Sequence, residues 1–113
     1  EDKKFVVFAL MVTEGNANDA FDFIESYLPV DQGETKAIGK AHHFENSFLE
    51  NFDHYYYKGS LTTPPCTEAV NWFVFKDAIE ASPTQVKAIA DLMPRNNYRP
   101  TQPLNGRTVY ISE

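Results

Sequence analysis

The sequence predicts a β-dominated domain with short helices on its outer surface. Three observations carry this prediction: an unbroken apolar run at residues 5–12, a strongly β-type run at residues 70–75, and only two short segments with helical periodicity. The chain has 113 residues, of which 42% are hydrophobic and 14% aromatic. That length and composition suit one modest globular domain, or part of one, and exclude a multidomain machine.

The first predicted element is a central strand. Residues 5–12 read Phe-Val-Val-Phe-Ala-Leu-Met-Val and are rich in β-branched and aromatic types. A continuous run of this kind is typical of a strand that is covered on both faces. We therefore expect this strand to lie inside a sheet.

A short amphipathic helix is predicted next. Its apolar positions recur at helical spacing and are Ala17, Phe21, Ile24 and Leu28. Asn16 or Asn18 is available as the N-cap, and Pro29 can end the helix. Residues 30–51 carry only weak signals and predict a long irregular connection over the surface.

The second half of the chain predicts two strands, a helix and a last strand. Aromatic residues at 55–57 and the alternating run at 70–75 indicate the two strands. Residues 82–85, Ser-Pro-Thr-Gln, form a capping box with proline at the first helical position, so Ser82 should cap a helix. The residues of this helix that we expect to point inward are Val86, Ile89, Ala90 and Met93. The last strand is predicted at residues 108–111.

The charge of the chain limits its partners. Sixteen acidic against ten basic residues give a formal net charge of −6. This excess repels phosphate backbones and argues against nucleic-acid binding. No stretch approaches the roughly 20 apolar residues that a membrane helix needs, so we predict no membrane span. Small molecules or proteins remain as partners.

The three histidines do not predict a metal site within this chain. Zinc sites on strands need imidazoles at i and i+2, and sites on helices need them at i and i+4. His42 and His43 are adjacent and would point to opposite faces of a strand, and His54 lies eleven residues after His43. The acidic residues form no convincing catalytic pair, and the chain has no phosphate-cradling glycine loop and no serine nucleophile turn.

The unusual segment is residues 59–68, Gly-Ser-Leu-Thr-Thr-Pro-Pro-Cys-Thr-Glu. Two threonines precede two prolines, which remove two backbone donors and fix φ. Such a loop can aim a threonine hydroxyl at little ordering cost, and the Pro64–Pro65 bond has a substantial chance of being cis. Residue types alone leave a functional loop and a plain turn between strands both open. The single cysteine, Cys66, either stays free or pairs outside this chain.

Two motifs give the chain a family resemblance. Residues 57–72, Tyr-Lys-Gly-Ser-Leu-Thr-Thr-Pro-Pro-Cys-Thr-Glu-Ala-Val-Asn-Trp, closely resemble the signature of the α-class carbonic anhydrases. Residues 97–107, Asn-Tyr-Arg-Pro-Thr-Gln-Pro-Leu-Asn-Gly-Arg, are similar to the C-terminal signature of that family. Residues 5–15 align with the family's central strand and the turn behind it. The resemblance therefore spans nearly the whole chain.

The resemblance implies a fold and an activity. The fold would be part of a large, mostly antiparallel twisted sheet, with zinc at the floor of a conical cleft. The activity would be the reversible hydration of carbon dioxide to bicarbonate by zinc-bound hydroxide. Matched by position, Thr62 would be the gatekeeper, whose hydroxyl accepts a hydrogen bond from that hydroxide and donates one to a buried glutamate. Its backbone N–H would position the substrate or an anion that replaces it.

The resemblance also implies an apolar pocket for the uncharged substrate. Its family positions fall on Val7, Leu61, Val70 and Trp72. Thr63 would line the polar side of the same site. Without the resemblance, the two valines would be assigned to ordinary core packing. Asn97 and Arg99 match the family as structural supports beneath the active-site loop.

The zinc histidines and the orienting glutamate of this family lie upstream of the strand that matches residues 5–12. Residues 1–113 are therefore expected to be the C-terminal portion of one such domain, with zinc held by an N-terminal half that would be a partner of this chain. The resemblance further implies that Cys66 forms a disulfide to that half, which would place the protein in the periplasm or outside the cell. A free buried thiol is the alternative. The sequence leaves homodimer formation open.

Two other interpretations remain beside the enzyme. One is a catalytically inactive carbonic-anhydrase-like module that binds proteins, and the other is a truncated fragment without activity of its own. Thr62 and the intact apolar pocket favour the enzyme. In either case we expect half a sheet to leave the apolar faces of residues 5–12 and 70–75 partly uncovered and one strand edge unpaired.

Overall fold

The computed structural model describes residues 3–29, 31, 33–39 and 50–112. In chain order its elements are β1 (Phe5–Ala9), β2 (Val12–Glu14), α1 (Asp19–Tyr27), β3 (His54–Gly59), β4 (Val70–Phe75), β5 (Ile79–Ala81), α2 (Pro83–Ala90) and β6 (Tyr110–Ile111). They belong to two compact units. The sheet unit is drawn from Glu1–Met11, Asn51–Ala78 and Asn96–Glu113, and the helix unit from Val12–Glu50 and Ile79–Arg95. The predicted class, mainly β with short helices, is confirmed.

The sheet unit is built on four strands in the order β1-β4-β3-β6. β1 runs parallel to β4, with Val7 opposite Trp72. β3 is antiparallel to both of its neighbours, and Gly59 lies opposite Val70 where β3 meets β4. The predicted last strand is shorter than expected, because only Tyr110–Ile111 pairs with β3.

The prediction of one central strand at residues 5–12 is wrong. The run is divided into β1, which pairs with β4, and β2, which pairs with β5 in the helix unit. Among the described residues β1 is an edge strand, and Phe5, Val6 and Phe8 are 38%, 58% and 66% exposed. An apolar run shows that a segment is suited to burial. It does not show whether the residues that pack against it belong to the same chain.

The two faces of this sheet differ in character, because successive side chains of a strand point to opposite sides. One face carries Val7, Trp72 and Val70. The other face carries rings whose centroids lie 5.0 to 6.1 Å apart. We call this the aromatic face, and its members are Tyr56, Phe8, Phe73, Phe75 and Tyr110.

The helix unit contains a short parallel ladder of β2 and β5 and the two helices. α1 begins after Asn18, whose side-chain Oδ1 accepts a hydrogen bond from the Ala20 amide at 3.0 Å. Asn18 is one of the two predicted caps. The helix ends at Tyr27, and Leu28 is its C-cap directly before Pro29.

The capping box at the start of α2 is confirmed. Ser82 Oγ accepts from the Gln85 amide at 3.2 Å, and Gln85 Oε1 accepts from the Ser82 amide at 3.1 Å. The predicted inward set is only partly right, because Val86 and Ile89 are half-buried whereas Ala90 and Met93 are exposed. The buried residue of α2 is instead polar.

Gln85 is 5% exposed and joins the starts of both helices. Besides the cap contact, its Oε1 accepts from the Asn18 amide at 3.0 Å, and its Nε2 donates to Asn18 O at 2.9 Å and to Asp22 Oδ1. Both ends of this buried amide are therefore satisfied, as the cost of burying a polar group requires.

No helix in the described part of the chain is long and apolar enough to cross a membrane. The predicted irregular connection at residues 30–51 lies partly outside the described residues.

Candidate active site

The loop at residues 60–69 joins β3 to β4 within the sheet unit. Its two ends are brought together by the antiparallel pair Gly59 and Val70. The Leu61 amide donates to Thr67 O at 3.0 Å, and the Cys66 amide donates to Thr63 O at 2.8 Å. The Pro64–Pro65 peptide bond is cis, and Cys66 has a φ of 56°. The loop is thus closed by its own backbone hydrogen bonds.

Ser60, at the start of this loop, is held from two directions. The Trp72 indole Nε1 donates to Ser60 O at 3.0 Å. The Arg99 guanidinium donates through Nη1 to Ser60 Oγ at 2.7 Å and to Leu61 O at 3.3 Å. A Cβ atom at Gly59 would lie 2.9 Å from Trp72 Cδ1, so a glycine is needed for the indole to take this position.

A second arginine fastens the C-terminal segment to β3. Arg107 donates through Nη1 to Lys58 O at 3.1 Å, and its guanidinium carbon lies 5.8 Å from the centre of the Tyr57 ring. The Tyr57 ring in turn stacks on Trp72, with centroids 6.4 Å apart and planes 9° apart. The floor beneath the loop is therefore a stack of a cation and two aromatic side chains.

Thr62 lies on a cavity of about 310 Å³ in the sheet unit, whose lining also includes Ser60, Trp72 and Arg99. The Thr62 side chain is exposed. Within the described ranges, neither its hydroxyl nor its backbone N–H has a hydrogen-bond partner. Both groups are thus available to a ligand on a loop whose backbone is held on each side.

The other predicted pocket residues are arranged around Trp72 to different degrees. Val7 lies beside Trp72 across the β1–β4 pair and on the same face of the sheet, and it is half-buried. Val70 is 2% exposed, two positions before Trp72 on β4. Leu61 is half-buried and Thr63 is exposed, and they flank Thr62 in the loop. Of the predicted site residues, the cavity itself is lined by Thr62 and Trp72 alone.

Cys66 is half-buried and its thiol is free. It lies in a neighbouring recess of about 460 Å³ together with Lys58, Glu68 and Arg107. Arg99 lines both spaces.

The described residues do not fit a zinc site. No three histidine, cysteine, aspartate or glutamate side chains among them lie close enough together to hold a metal ion. His54 packs against Phe73 at 5.3 Å between ring centroids, and its Nδ1 lies 2.9 Å from Phe52 O. His42 and His43 lie outside the described residues.

Three contributors to the site were not identified as such from the sequence: Ser60, Tyr57 and Arg107. All three lie inside the two signature motifs, but their roles depend on contacts with Trp72, Arg99 and main-chain carbonyls. No pattern of residue types within one segment reports such contacts. Arg99, which was assigned a supporting role, does contact the loop.

Comparisons with known proteins agree with this geometry. The family described as eukaryotic-type carbonic anhydrase matches residues 1–113. A carbonic anhydrase of Pectobacterium carotovorum is 36% identical over 110 residues, which cover 96% of this chain and 44% of that protein. Alpha carbonic anhydrase 3 of Arabidopsis thaliana is 40% identical over 116 residues, which cover 95% of this chain and 40% of that protein.

Solved structures give the same result. The α-carbonic anhydrase of Thermovibrio ammonificans, in complex with the inhibitor sulfanilamide, superposes with a TM-score of 0.83 at 36% identity, covering 92% of this chain and 46% of that one. The α-carbonic anhydrase of Photobacterium profundum gives a TM-score of 0.81 at 33% identity, with 92% and 48% covered. The chain spans less than half the length of these relatives. By sequence and by fold, it belongs to the eukaryotic-type, or α-class, carbonic anhydrase family.

Proposed function

We propose that this chain supplies the gatekeeper and the substrate wall of a carbonic anhydrase that hydrates carbon dioxide reversibly to bicarbonate. In that reaction a water oxygen bonds to the carbon of carbon dioxide, and one proton leaves to solvent. The observation that carries the proposal is the exposed Thr62, whose hydroxyl and N–H lack partners in the described structure on a loop that is otherwise tied down.

Zinc would be held by an N-terminal half of the domain, as the family resemblance implies. When bound, zinc lowers the pKa of a coordinated water to about 7 and so supplies a nucleophile at neutral pH. The residues of this chain would bind carbon dioxide, orient the nucleophile and keep bulk water away from the apolar side of the site.

Thr62 would orient the nucleophile. A threonine hydroxyl has one proton to donate and lone pairs to accept. If the proton is donated to a carboxylate of the other half, the oxygen must act as an acceptor toward the reacting group, which then turns a lone pair toward the carbon. The bonds from Arg99 and Trp72 to the residues just before Thr62 keep this oxygen in place, so that little reorganisation accompanies the reaction.

The apolar side of the site would receive carbon dioxide, which carries no charge and forms weak hydrogen bonds. Val7 and Trp72 are neighbours on one face of the sheet, Val70 is buried close by, and Leu61 begins the loop above them. Thr63 would present the polar side to bicarbonate. A mostly apolar pocket with a few fixed polar groups is the usual form of a small-molecule site.

The N-terminal half would also be a structural partner. β1 offers an unpaired edge among the described residues, and its exposed apolar side chains include Val6 and Phe8. Exposed apolar strands at a sheet edge favour pairing with a further strand. This chain covers 44% of the Pectobacterium carotovorum carbonic anhydrase, so more than half of that relative has no counterpart here. A corresponding segment would be long enough to provide the further strand.

Cys66 would form a disulfide to that half, and the protein would then function in the periplasm or outside the cell, where disulfides persist. Cys66 is the one cysteine of residues 1–113 and lies in the loop that a crosslink would fasten, which supports this proposal. Thiol titration of the complete protein before and after reduction tests it: two further thiols, those of Cys66 and its partner cysteine, are expected to appear only after reduction.

The activity is tested on the complete domain with Thr62→Ala. We expect kcat/KM for hydration to fall by about 100-fold or more, because an orienting hydrogen bond is lost from a fixed site. Thr84→Ala is the matched control, since Thr84 is exposed in the first turn of α2 and belongs to the helix unit. It should change the rate less than about twofold.

Metal content is measured by elemental analysis on the same samples. One zinc per domain with hydration that depends on Thr62 would support the enzyme. Absence of both zinc and hydration in the unmodified protein would overturn it in favour of the catalytically inactive protein-binding module.

A further inference from the structure

Arg99 contacts the peptide group that contains the Thr62 N–H. We propose that Arg99 is a positioning residue that orients and polarises this N–H toward a bound anion such as bicarbonate. The proposal rests on the function proposed above and goes further, because it assigns the anion-binding strength of the Thr62 amide to a side chain 37 positions later in the chain.

The argument begins with peptide geometry. The carbonyl of Leu61 and the N–H of Thr62 belong to one planar peptide group and point in opposite directions across it. Arg99 Nη1 donates to that carbonyl at 3.3 Å. A contact that fixes the direction of the carbonyl therefore also fixes the direction of the N–H.

The charge on the donor adds to the effect. A guanidinium polarises a carbonyl that it contacts, and a polarised peptide group donates more strongly through its N–H. No carboxylate forms an ion pair with Arg99 in the described part of the chain, where Lys87 with Asp91 is the pair observed. Arg99 is half-buried, and its contacts are with the neutral oxygens of Ser60 and Leu61.

The second arginine shows that this arrangement is specific. Arg107 donates to the carbonyls of Lys58, Pro103 and Leu104, and none of these lies in the loop of residues 60–69. Of the two, only Arg99 contacts the residues next to Thr62.

The state of the loop amides points the same way. The Leu61 and Cys66 amides both donate within the loop. The Thr62 amide has no acceptor in the described structure, so it can serve a ligand. It is the amide attached to the carbonyl that Arg99 holds.

The test uses the complete domain and azide as the anion. Arg99→Met should raise the azide inhibition constant about 10-fold, which corresponds to about 1.4 kcal/mol. The amide proton of Thr62 should shift upfield in ¹H–¹⁵N spectra of the azide-free protein. Arg95→Met is the matched control, because Arg95 is exposed and belongs to the helix unit. It should leave both readouts unchanged.

Two further variants separate positioning from general support. Ser60→Ala removes the 2.7 Å bond but keeps the contact of Arg99 with Leu61, so it should retain most of the azide affinity. Arg99→Lys keeps the charge but lacks the rigid planar guanidinium whose Nη1 contacts both oxygens, so it should weaken azide by about threefold and shift the Thr62 amide in the same direction.

Native azide affinity together with a native Thr62 shift in Arg99→Met would overturn the proposal. If that variant does not fold, the same pair of results in Arg99→Lys would overturn it. Failure of the proposed function gives a different result. The unmodified domain would then not hydrate carbon dioxide, but Arg99→Met would still shift the Thr62 amide resonance.

Discussion

The two units of the chain are packed very differently. Among the described residues, those that are buried in the helix unit are Ala20, Phe21, Ile79, Ala81 and Gln85. Among the described residues of the sheet unit, only Val70 is buried to this degree. The sheet unit also leaves large apolar side chains open, with Phe8 66% and Tyr110 60% exposed.

The sheet unit, which carries the candidate site, thus buries fewer of its described apolar side chains than the helix unit does. The helix unit closes around a polar network centred on Gln85. The sheet unit fixes its loop with Arg99 and Trp72 but leaves the aromatic face to be covered. We infer that the helix unit gains its stability from within the chain, whereas the sheet unit depends on the rest of the domain. The predictions below test this difference.

The largest effect is expected from Gln85→Leu in the helix unit. The change removes a buried amide and leaves the Asn18 amide and the Ser82 amide without their acceptor, whereas the Asn18 carbonyl keeps its bond from the Phe21 amide. Each buried group without a partner costs about 1 to 3 kcal/mol, so the free energy of unfolding should fall by about 4 kcal/mol. Urea denaturation of the complete domain measures it.

Gln102→Leu is the control for this change. Gln102 is exposed in the sheet unit and makes one hydrogen bond, from Nε2 to Pro100 O at 2.9 Å. It should cost less than about 0.5 kcal/mol. Equal losses for the two variants would contradict the role of Gln85 as the centre of its unit.

The next effect is expected from Phe8→Ser on the aromatic face. Phe8 exposes 66% of its surface here, and covering roughly 130 Å² of a phenylalanine contributes about 3 kcal/mol. If the rest of the domain covers this face, the complete domain should lose about that much stability. Leu92→Ser, at a 45% exposed position in the helix unit, should cost less than about 1 kcal/mol.

Thermal unfolding of both variants in the complete domain distinguishes the two cases. A Phe8→Ser variant as stable as Leu92→Ser would mean that the aromatic face stays open to solvent in the complete domain. The dependence of the sheet unit on a partner would then be wrong.

The local signals of the sequence predicted the fold where one segment decides it. The Ser82 capping box, the Asn18 cap and the strands at 55–57 and 70–75 depend on neighbours in the chain, and all are present. The division of residues 5–12 into two strands depends on pairing with β4 and β5, which the run itself does not encode.

The candidate site shows the same limit. The threonines and prolines of the loop marked it as unusual, and the family resemblance assigned Thr62. The supports of the loop could not be derived in this way, because Arg99 lies 39 positions after Ser60 and its contacts are made through side-chain and carbonyl oxygens. The burial of Gln85 was not predicted for a related reason. A glutamine in a helix is usually exposed, and the four hydrogen bonds that satisfy this side chain when it is buried come from residues on other segments or at the helix cap.

The smallest effect is expected from Gly59→Ala, and it tests how tightly the sheet unit holds its loop. The new Cβ would lie 2.9 Å from Trp72 Cδ1 and 3.0 Å from Tyr57 Cε2, so the stacked rings must move. Overpacking of this kind costs about 1 to 3 kcal/mol, and because Trp72 donates to Ser60 O, its displacement should also disturb the loop. Gly15→Ala is the control in the helix unit: its Cβ would meet the Glu80 side chain at 2.6 Å, so this exposed side chain must move and give up its bonds from Asn16, which do not involve Trp72. The assigned indole Nε1–H resonance of Trp72 in ¹H–¹⁵N spectra of the complete domain reports the change directly, because this group donates to Ser60 O. We expect a shifted indole resonance and slower hydration for Gly59→Ala and neither for Gly15→Ala, whereas a native indole resonance in Gly59→Ala would mean that the indole does not hold the loop.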